Sequence, residues 1–413
     1  MQEILTLVSW PQAIVHIDGD SFFASVEQSL NHSYKNKPLV TGSERGIASA
    51  MSADAKKLGI TRGMPIGLIK KNYPECIIVP GNYEAYMLFA HRMFSIMRRF
   101  TPIVEEYSID EAFADITGLR RTLNANYQEI AVKMQSAITS ELDITVSVGV
   151  SLTKSLAKLC SKFRKPNGIT CVKGKHIHIL LQKTPIEKVW GIGPNISSML
   201  RKYGCQTAYD FTQKPLPFVE EKLTKKEVEI YKELRGEQIY KIDTNKKESY
   251  QSISKAKTFN PTSDKNEVFA QLVKNIEEAT AKCRKYNLAA KSIVIALKSQ
   301  KFQTYGQKAK LNRPSADPME IVHIANELFE TCYRSGKIYR QTICVLINLC
   351  SNKNMQLSLF DQNISIEKRE QLFLSIDELN KRFGIGTIHL ADSLNARHNS
   401  LPNFNIPQLE IPV

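Results

Sequence analysis

Two acidic clusters, about ninety residues apart, are where this chain could do chemistry. The first reads His16-Ile17-Asp18-Gly19-Asp20-Ser21-Phe22-Phe23, and the second Tyr107-Ser108-Ile109-Asp110-Glu111-Ala112-Phe113. Each follows a short apolar run, Ala13-Ile14-Val15 or Ile103-Val104, that reads as a strand. Near-adjacent carboxylates therefore stand where each strand should end. Carboxylates are costly inside a fold unless something positive neutralises them. Hard oxygen ligands drawn from two strands suit Mg²⁺, which takes a few carboxylates together with substrate phosphate oxygens. A pair of such ions, roughly 3.5–4 Å apart, clamps the attacking and leaving oxygens of a phosphoryl transfer. Judged on charge alone, two solvated acidic turns fit equally well.

The elements around these clusters alternate between strand-like and helix-like up to about Val172. Ile14–Ile17 reads as a strand, Phe22–Leu30 as a helix and Pro38–Thr41 as a strand. Ser52–Leu58 is helical and stops at Gly59, as helices commonly do. Asn82–Arg99 is a long amphipathic helix with Tyr86, Phe89, Met93, Phe94 and Met97 on its apolar face. A hairpin from Val104 to Ile116 carries the second cluster. Glu129–Leu142 is helical, Thr145–Val150 a strand, and Lys154–Lys162 a helix ending before Lys165-Pro166-Asn167-Gly168. Strands broken by two long helices, with hairpin character, suggest a βαββαβ-like sheet with an insertion between Asn31 and Pro80.

Pro166 and Gly168 mark a boundary, and the mostly helical stretch to Asp243 contains Val189-Trp190-Gly191-Ile192-Gly193-Pro194. A Gly-x-Gly turn between helices exposes backbone N–H groups that suit a DNA phosphate, although many tight turns look the same. A Lys-rich linker, Asp243–Ser252, leads to a module opening at Ser254–Phe259. There Glu267–Arg284 reads as a helix, and Lys291–Leu297 and Gln341–Leu349 as strands. Beyond Ser351 the sequence turns polar, like a tail with short structured pieces.

The 413 residues allow two to four domains. No apolar stretch is long enough to cross a bilayer, and Met1-Gln2-Glu3-Ile4 lacks the start of a signal peptide. The eight cysteines include no C-x-x-C spacing, so neither a zinc site nor a disulfide framework is indicated and a reduced, cytoplasmic protein is expected. The net charge of +15 favours a polyanionic partner. From Lys246 to Arg340 there are 18 Lys and Arg against 9 Asp and Glu, a local net of +9. Without a basic amphipathic helix bearing an aromatic face, nucleic acid suits that charge better than a membrane.

His16–Glu27, Tyr107–Thr117, Ser151–Gly168 and Trp190–Gly193, in that order, resemble the Y-family translesion DNA polymerases. Within that family the chain looks most like the UmuC branch, the catalytic subunit of DNA polymerase V, while Phe22-Phe23 is equally similar to the polymerase IV branch. The likeness extends to Glu233-Leu234-Arg235-Gly236-Glu237 and to Gln371–Ala391. It implies an α+β, multidomain right-hand polymerase. Residues 1–30 and 81–168 would form a palm with a ferredoxin-like sheet, 31–80 small fingers, and 169–245 a helical thumb with a helix-hairpin-helix. Residues 251–350 would form an α/β little finger and 351–413 a tail.

The resemblance also implies roles. Asp18, Asp110 and Glu111, with the backbone carbonyl of Gly19, would hold two Mg²⁺ ions for attack of a primer 3′-hydroxyl on the α-phosphate of a dNTP. Asp20 would face the same side as Asp18 and support it rather than bind metal. Phe23 matches the steric gate that excludes a ribose 2′-hydroxyl, with Phe22 as the core ring. Lys158 matches a lysine that reaches the triphosphate, and Lys154, a turn earlier, would assist it. In the fingers Ala53 and Lys56 replace the tyrosine and arginine of polymerase IV. This agrees with the UmuC-like branch and implies weaker nucleotide affinity, because lysine lacks the fork of arginine. Ile47 and Ser49 would roof the nascent base pair, and Gly191 and Gly193 would meet the DNA backbone. The basic module would grip DNA through its phosphates.

Gln356-Leu357-Ser358-Leu359-Phe360 resembles the pentapeptide by which bacterial polymerases dock on the sliding β-clamp, with Gln356, Leu357, Leu359 and Phe360 as its anchors. The expected activity is low-fidelity, template-directed bypass of damaged bases in SOS-type repair. A UmuC relative would need a UmuD′-like accessory protein and a RecA filament, and without them would be a weak or silent DNA-binding subunit. A two-metal nuclease would share the carboxylates but has no use for a steric gate.

Overall fold

Ile14–Gly19 forms β1, and all six residues are buried because the strand is covered on both faces. The computed structural model describes residues 10–245, 250–352, 363–384 and 386–397. They fall into two units, 1–245 and 246–413.

In the first unit, β1 is the centre of a five-stranded sheet ordered β5-β6-β1-β7-β8. β5 (Val104–Glu106) and β6 (Glu111–Asp115) make the hairpin, and β7 (Val146–Ser151) lies antiparallel to β1 on its other side. This is the expected ferredoxin-like order, extended by β8 (Ile169–Cys171) parallel to β7. Val15 and Ile17 point into a core shared with α1 (Phe22–Leu30), α4 (Tyr83–Arg98) and α5 (Tyr127–Leu142). α5 begins in a capping box between Asn126 and Glu129. The alternate residues of β1 turn to α6 (Lys154–Phe163), where Ile14 packs with Phe113 and Ala157. Burying a ring such as Phe113, which is fully covered, contributes about 2–3 kcal/mol.

Gly149 of β7 lies directly under α6. A Cβ there would stand 2.1 Å from the Ala157 carbonyl oxygen and 2.2 Å from the Ser161 nitrogen. The glycine is what lets the helix approach the sheet.

Residues 31–80 hold a small sheet ordered β3-β2-β4, made of Leu39–Thr41 (β2), Ala50–Met51 (β3) and Ile77–Val79 (β4). With α2 (Ala53–Lys57) and α3 (Ile66–Asn72) it encloses its own cluster around Val40, Ala55 and Ile69. After β8 come α7 (Ile177–Gln182), α8 (Pro194–Lys202), α9 (Ala208–Thr212), α10 (Leu216–Lys222) and α11 (Lys225–Leu234), packed around Leu181, Leu200 and Phe211.

The second unit is a four-stranded antiparallel sheet ordered β11-β10-β12-β9, with two helices against it. Its strands are Ser252–Thr262 (β9), Leu288–Ser299 (β10), Thr304–Ser315 (β11) and Tyr339–Ser351 (β12). Its helices are Lys265–Lys285 (α12) and Pro318–Cys332 (α13). The region expected to hold only short structured pieces instead contains a 21-residue helix, α14 (Asn363–Phe383), followed by α15 (Leu394–Arg397). Phe373 is the buried anchor of α14, and Arg284 of α12 pairs with Asp377 through two nitrogens at 2.6 and 2.8 Å. No helix among the described residues is long and apolar enough to cross a membrane. All eight cysteines are unpaired.

Candidate active site

The β1–β6 ladder sets Asp18 directly opposite Glu111, one residue from the end of β1. The Gly19 N–H donates to the Asp110 carbonyl at 2.8 Å, which ties the turn before β6 to that end. A Cβ on Gly19 would come within 2.8 Å of the Phe22 ring, so packing as well as a bare carbonyl asks for glycine. The Asp110 carboxylate accepts from the Ser108 hydroxyl at 2.7 Å. Among the described residues, no three His, Cys, Asp or Glu side chains are gathered around one point. The chain thus brings Asp18 and Glu111 together by register and holds Asp110 beside them through its backbone.

Lysines neutralise the two facing carboxylates. Lys158 donates to Glu111 at 2.6 Å, with its ammonium over the Tyr107 and Trp190 rings at 4.5 and 5.0 Å. Burial pushes the Glu111 carboxyl up, but the hydrogen bond and charge of Lys158, with the His16 ring close by, hold it at about 2. Lys165 donates to Asp18 and lies 3.4 Å from the Gly19 carbonyl oxygen. Burial raises the Asp18 carboxyl, and Lys165 opposes that rise. Lys165 was read in the sequence only as part of a helix stop, yet it is the lysine nearest Asp18. Its side chain keeps 32% of its exposure, against 6% for Lys158.

Lys154 does not assist Lys158 as expected. It pairs with Glu105 at 2.6 Å and is held by Glu105 and the Lys241 carbonyl. Asp20 accepts from the Ser147 hydroxyl at 2.8 Å and the Asn167 N–H at 2.7 Å, which fastens the end of β1 to β7 and to the segment after α6.

His16, also missed, lies buried on the α6 side of β1. The Ser161 hydroxyl donates to the Lys158 carbonyl at 3.0 Å, so the 2.7 Å contact between Ser161 Oγ and His16 Nδ1 must be donated by the ring. His16 Nε2 then faces Glu111 Oε2 at 3.8 Å without a hydrogen-bond partner. The visible signal was its period-two spacing from Asp18.

In the helix after β1, Phe22 is buried, while Phe23 is half-exposed and stacks on Tyr86 at 4.3 Å. Ser21, in a left-handed conformation (φ 51°), accepts from Lys56 Nζ at 2.6 Å. Burial lowers the Lys56 ammonium. Ala53 opens α2 without a large side chain, Ile47 is exposed and Ser49 is half-buried. Gly191 (φ +90°) approaches Ile230 so closely that a Cβ would lie 2.5 Å from it, whereas Gly193 caps α8 with open space around it. Pro194 takes the first helical position, so the first N–H groups on offer there belong to Asn195 and Ile196. Gln356, Leu357, Leu359 and Phe360 lie outside the described residues.

The impB/mucB/samB family profile matches residues 17–162, and the profile of that family's C-terminal domain matches residues 250–359. A DNA polymerase IV of Desulfatibacillum aliphaticivorans is 29% identical over 94% of this chain and 98% of its own length. A DNA polymerase IV of Listeria monocytogenes serotype 4b is 30% identical over 81% of this chain and 95% of its own. Among solved structures, a Y-family DNA polymerase chimera of Dbh superposes with a TM-score of 0.70 at 27% identity, covering 82% of this chain and all of that one. An insertion ternary complex of Dbh DNA polymerase gives 0.53 at 25% identity, with the same coverage. The chain belongs to the Y family of DNA polymerases. It is a DNA-directed DNA polymerase of the translesion class, and the relatives that match it over most of their length carry the name DNA polymerase IV.

Proposed function

We propose that this chain extends a primer 3′-hydroxyl along a DNA template by nucleotidyl transfer from a dNTP, with low fidelity, past damaged bases. The observation that carries the proposal is the register that sets Asp18 against Glu111, each carboxylate facing a lysine ammonium. Two hard-oxygen side chains and the adjacent Gly19 carbonyl, now balanced by positive charge, are a donor set that suits a divalent cation. Asp18, Asp110, Glu111 and the Gly19 carbonyl would hold two Mg²⁺ ions. Bound there, they would lower the pKa of the attacking hydroxyl and stabilise the leaving pyrophosphate. The chain's own part is to position. Phe23, braced by Tyr86, would block a 2′-hydroxyl, Ile47 and Ser49 would cover the base pair, and Lys56 and Lys158 would receive triphosphate charge. Lys165 joins them, because a cation at Asp18 would release the more exposed ammonium toward the phosphates.

In this reading residues 1–30 and 81–168 are the palm, 31–80 the fingers, 169–245 the thumb and 251–350 the little finger. Gly191 and Gly193 lie at the DNA backbone, and Gln356–Phe360 docks on a sliding clamp. The site of action is the cytoplasm. Ala53 and Lys56 favour a UmuC-like branch, in which a UmuD′-like protein and RecA would be required during an SOS response.

Primer extension by the purified chain with Mg²⁺ and dNTPs, beside Asp110→Ala, tests the proposal, together with Mn²⁺ binding to each protein followed by electron paramagnetic resonance. Extension and Mn²⁺ binding that both fall in the variant support the site. Extension that survives Asp110→Ala overturns it. A folded, DNA-binding wild type that extends only after accessory proteins are added belongs to the UmuC-like branch.

A further inference from the structure

The β10–β11 hairpin closes on Ser299, whose carbonyl accepts from the Phe302 N–H and whose N–H donates to the Gln303 carbonyl, both at 2.9 Å. Phe302 holds φ +62°, a conformation that bulky side chains rarely adopt, and the residue is 64% exposed. Strain and exposure both work against keeping a phenylalanine there, and strain of this kind gathers at functional positions. The ring is flanked by cations, with Lys298 Nζ 5.1 Å and Arg340 Cζ 4.8 Å from its centroid. The Gln300 N–H donates to the Ile338 carbonyl at 2.8 Å, which brings the loop before β12 alongside, and Arg334 lies over Tyr305 at 4.6 Å. Residues 299–316 and 331–352 contain no Asp or Glu. Among the described residues, Lys298, Lys301, Arg334, Lys337 and Arg340 form no ion pair.

We propose that this corner is a stacking platform for an unpaired base of the template strand. The inference rests on the polymerase reading above. A single strand offers both a flat π face for Phe302 and phosphates for the surrounding lysines and arginines. A duplex hides its base faces, and an acidic peptide would satisfy the cations but leave the ring in water. Lys298 and Arg340 would exchange the ring for flanking phosphates as a base settles on it.

The test measures binding of the full chain to a primer-template with a thymidine overhang and to a blunt duplex, by fluorescence anisotropy over a range of salt. Phe302→Ala should weaken overhang binding about tenfold, leave blunt-duplex binding alone, and keep the slope of log affinity against log salt, because no charge is lost. Lys301→Ala should instead make that slope shallower. Phe302→Trp should restore affinity, with indole fluorescence quenched by the overhang. Phe302→Gly relieves the strained φ, so it should melt no lower than wild type yet bind the overhang as poorly as Phe302→Ala. Equal affinity of Phe302→Ala and wild type for the overhang, or equal loss on both DNAs, overturns the platform. So does binding to an acidic protein that depends on Phe302 while overhang binding does not. Wild-type primer extension run in parallel reports separately on the polymerase reading, since Phe302 has no part in the site at Asp18.

Discussion

Asp18 and Glu111 each lean on one lysine, so the charge balance of the site changes with single substitutions. Lys158→Met leaves Glu111 a buried carboxylate without its nearest cation, which should cost about 3 kcal/mol of stability in metal-free protein. The Glu111 carboxyl should rise from about 2 in the same variant. Because its folded value lies below the ordinary 4.5, its contribution is present above pH 4.5 and lost as the pH falls toward 2. Calorimetric melting of metal-free wild type should show that loss, and the variant should show little of it. Added Mn²⁺ should raise the melting temperature of the variant more than that of wild type, since the ion takes over the neutralising role. A cation with equal effect on both would place the divalent site elsewhere. Phe23→Val removes the ring stacked on Tyr86 and should raise ribonucleotide incorporation relative to deoxynucleotide by about tenfold or more, read in single-nucleotide insertion assays. The acidic residues and the gate were legible because their types and spacing are unusual. Lys165 and His16 were not, because their meaning comes from partners across the sheet, Asp18 and Glu111, that sequence order does not pair.

At the scale of elements, α6 delivers Lys154, Lys158 and Ser161 to the sheet, and Gly149 sets how closely it can lie. Gly149→Ala forces helix backbone away from β7 and should destabilise the first unit by about 2–3 kcal/mol or more. Chemical denaturation measures that loss, and extension activity should fall further than Lys158→Met alone explains. β1, α1 and α4 could be read from the sequence because apolar patterning marks them, and Asn82 caps α4. β11 could not, since half of its twelve residues are exposed and lysines break any alternation. α13 carried a readable signal that went unread, with Asp317 as N-cap, Pro318 in the first turn, and Ile321, Val322, Ala325 and Phe329 on one face. α14 looks like tail because its anchoring is sparse, one buried ring and two ion pairs, Arg284–Asp377 and Arg369–Asp317.

At the scale of the whole molecule, that sparse anchoring is testable. Arg284→Ala breaks the bidentate pair with Asp377 and the contact over Phe373, and should increase proteolytic cleavage within α14 on the order of tenfold while the sheet stays resistant. The eight cysteines are unpaired, six of them buried. Burial pushes the Cys283 thiol up to about 12 and the Cys76 thiol up to about 11. A thiol reagent at neutral pH should therefore modify few groups in the native protein and eight after unfolding without reductant. Fewer than eight would mean that oxidised pairs form.

β12 ends at Ser351 and α14 begins at Asn363, within one unit and with α14 pinned to α12. The chain between Ser351 and Asn363 is therefore tethered at both ends, and its eleven residues bound its reach to about 40 Å of contour. A partner that recognises it would capture a bight of chain rather than thread a free end. Both arms of that bight must leave the groove, so only a groove open at its two ends can take it.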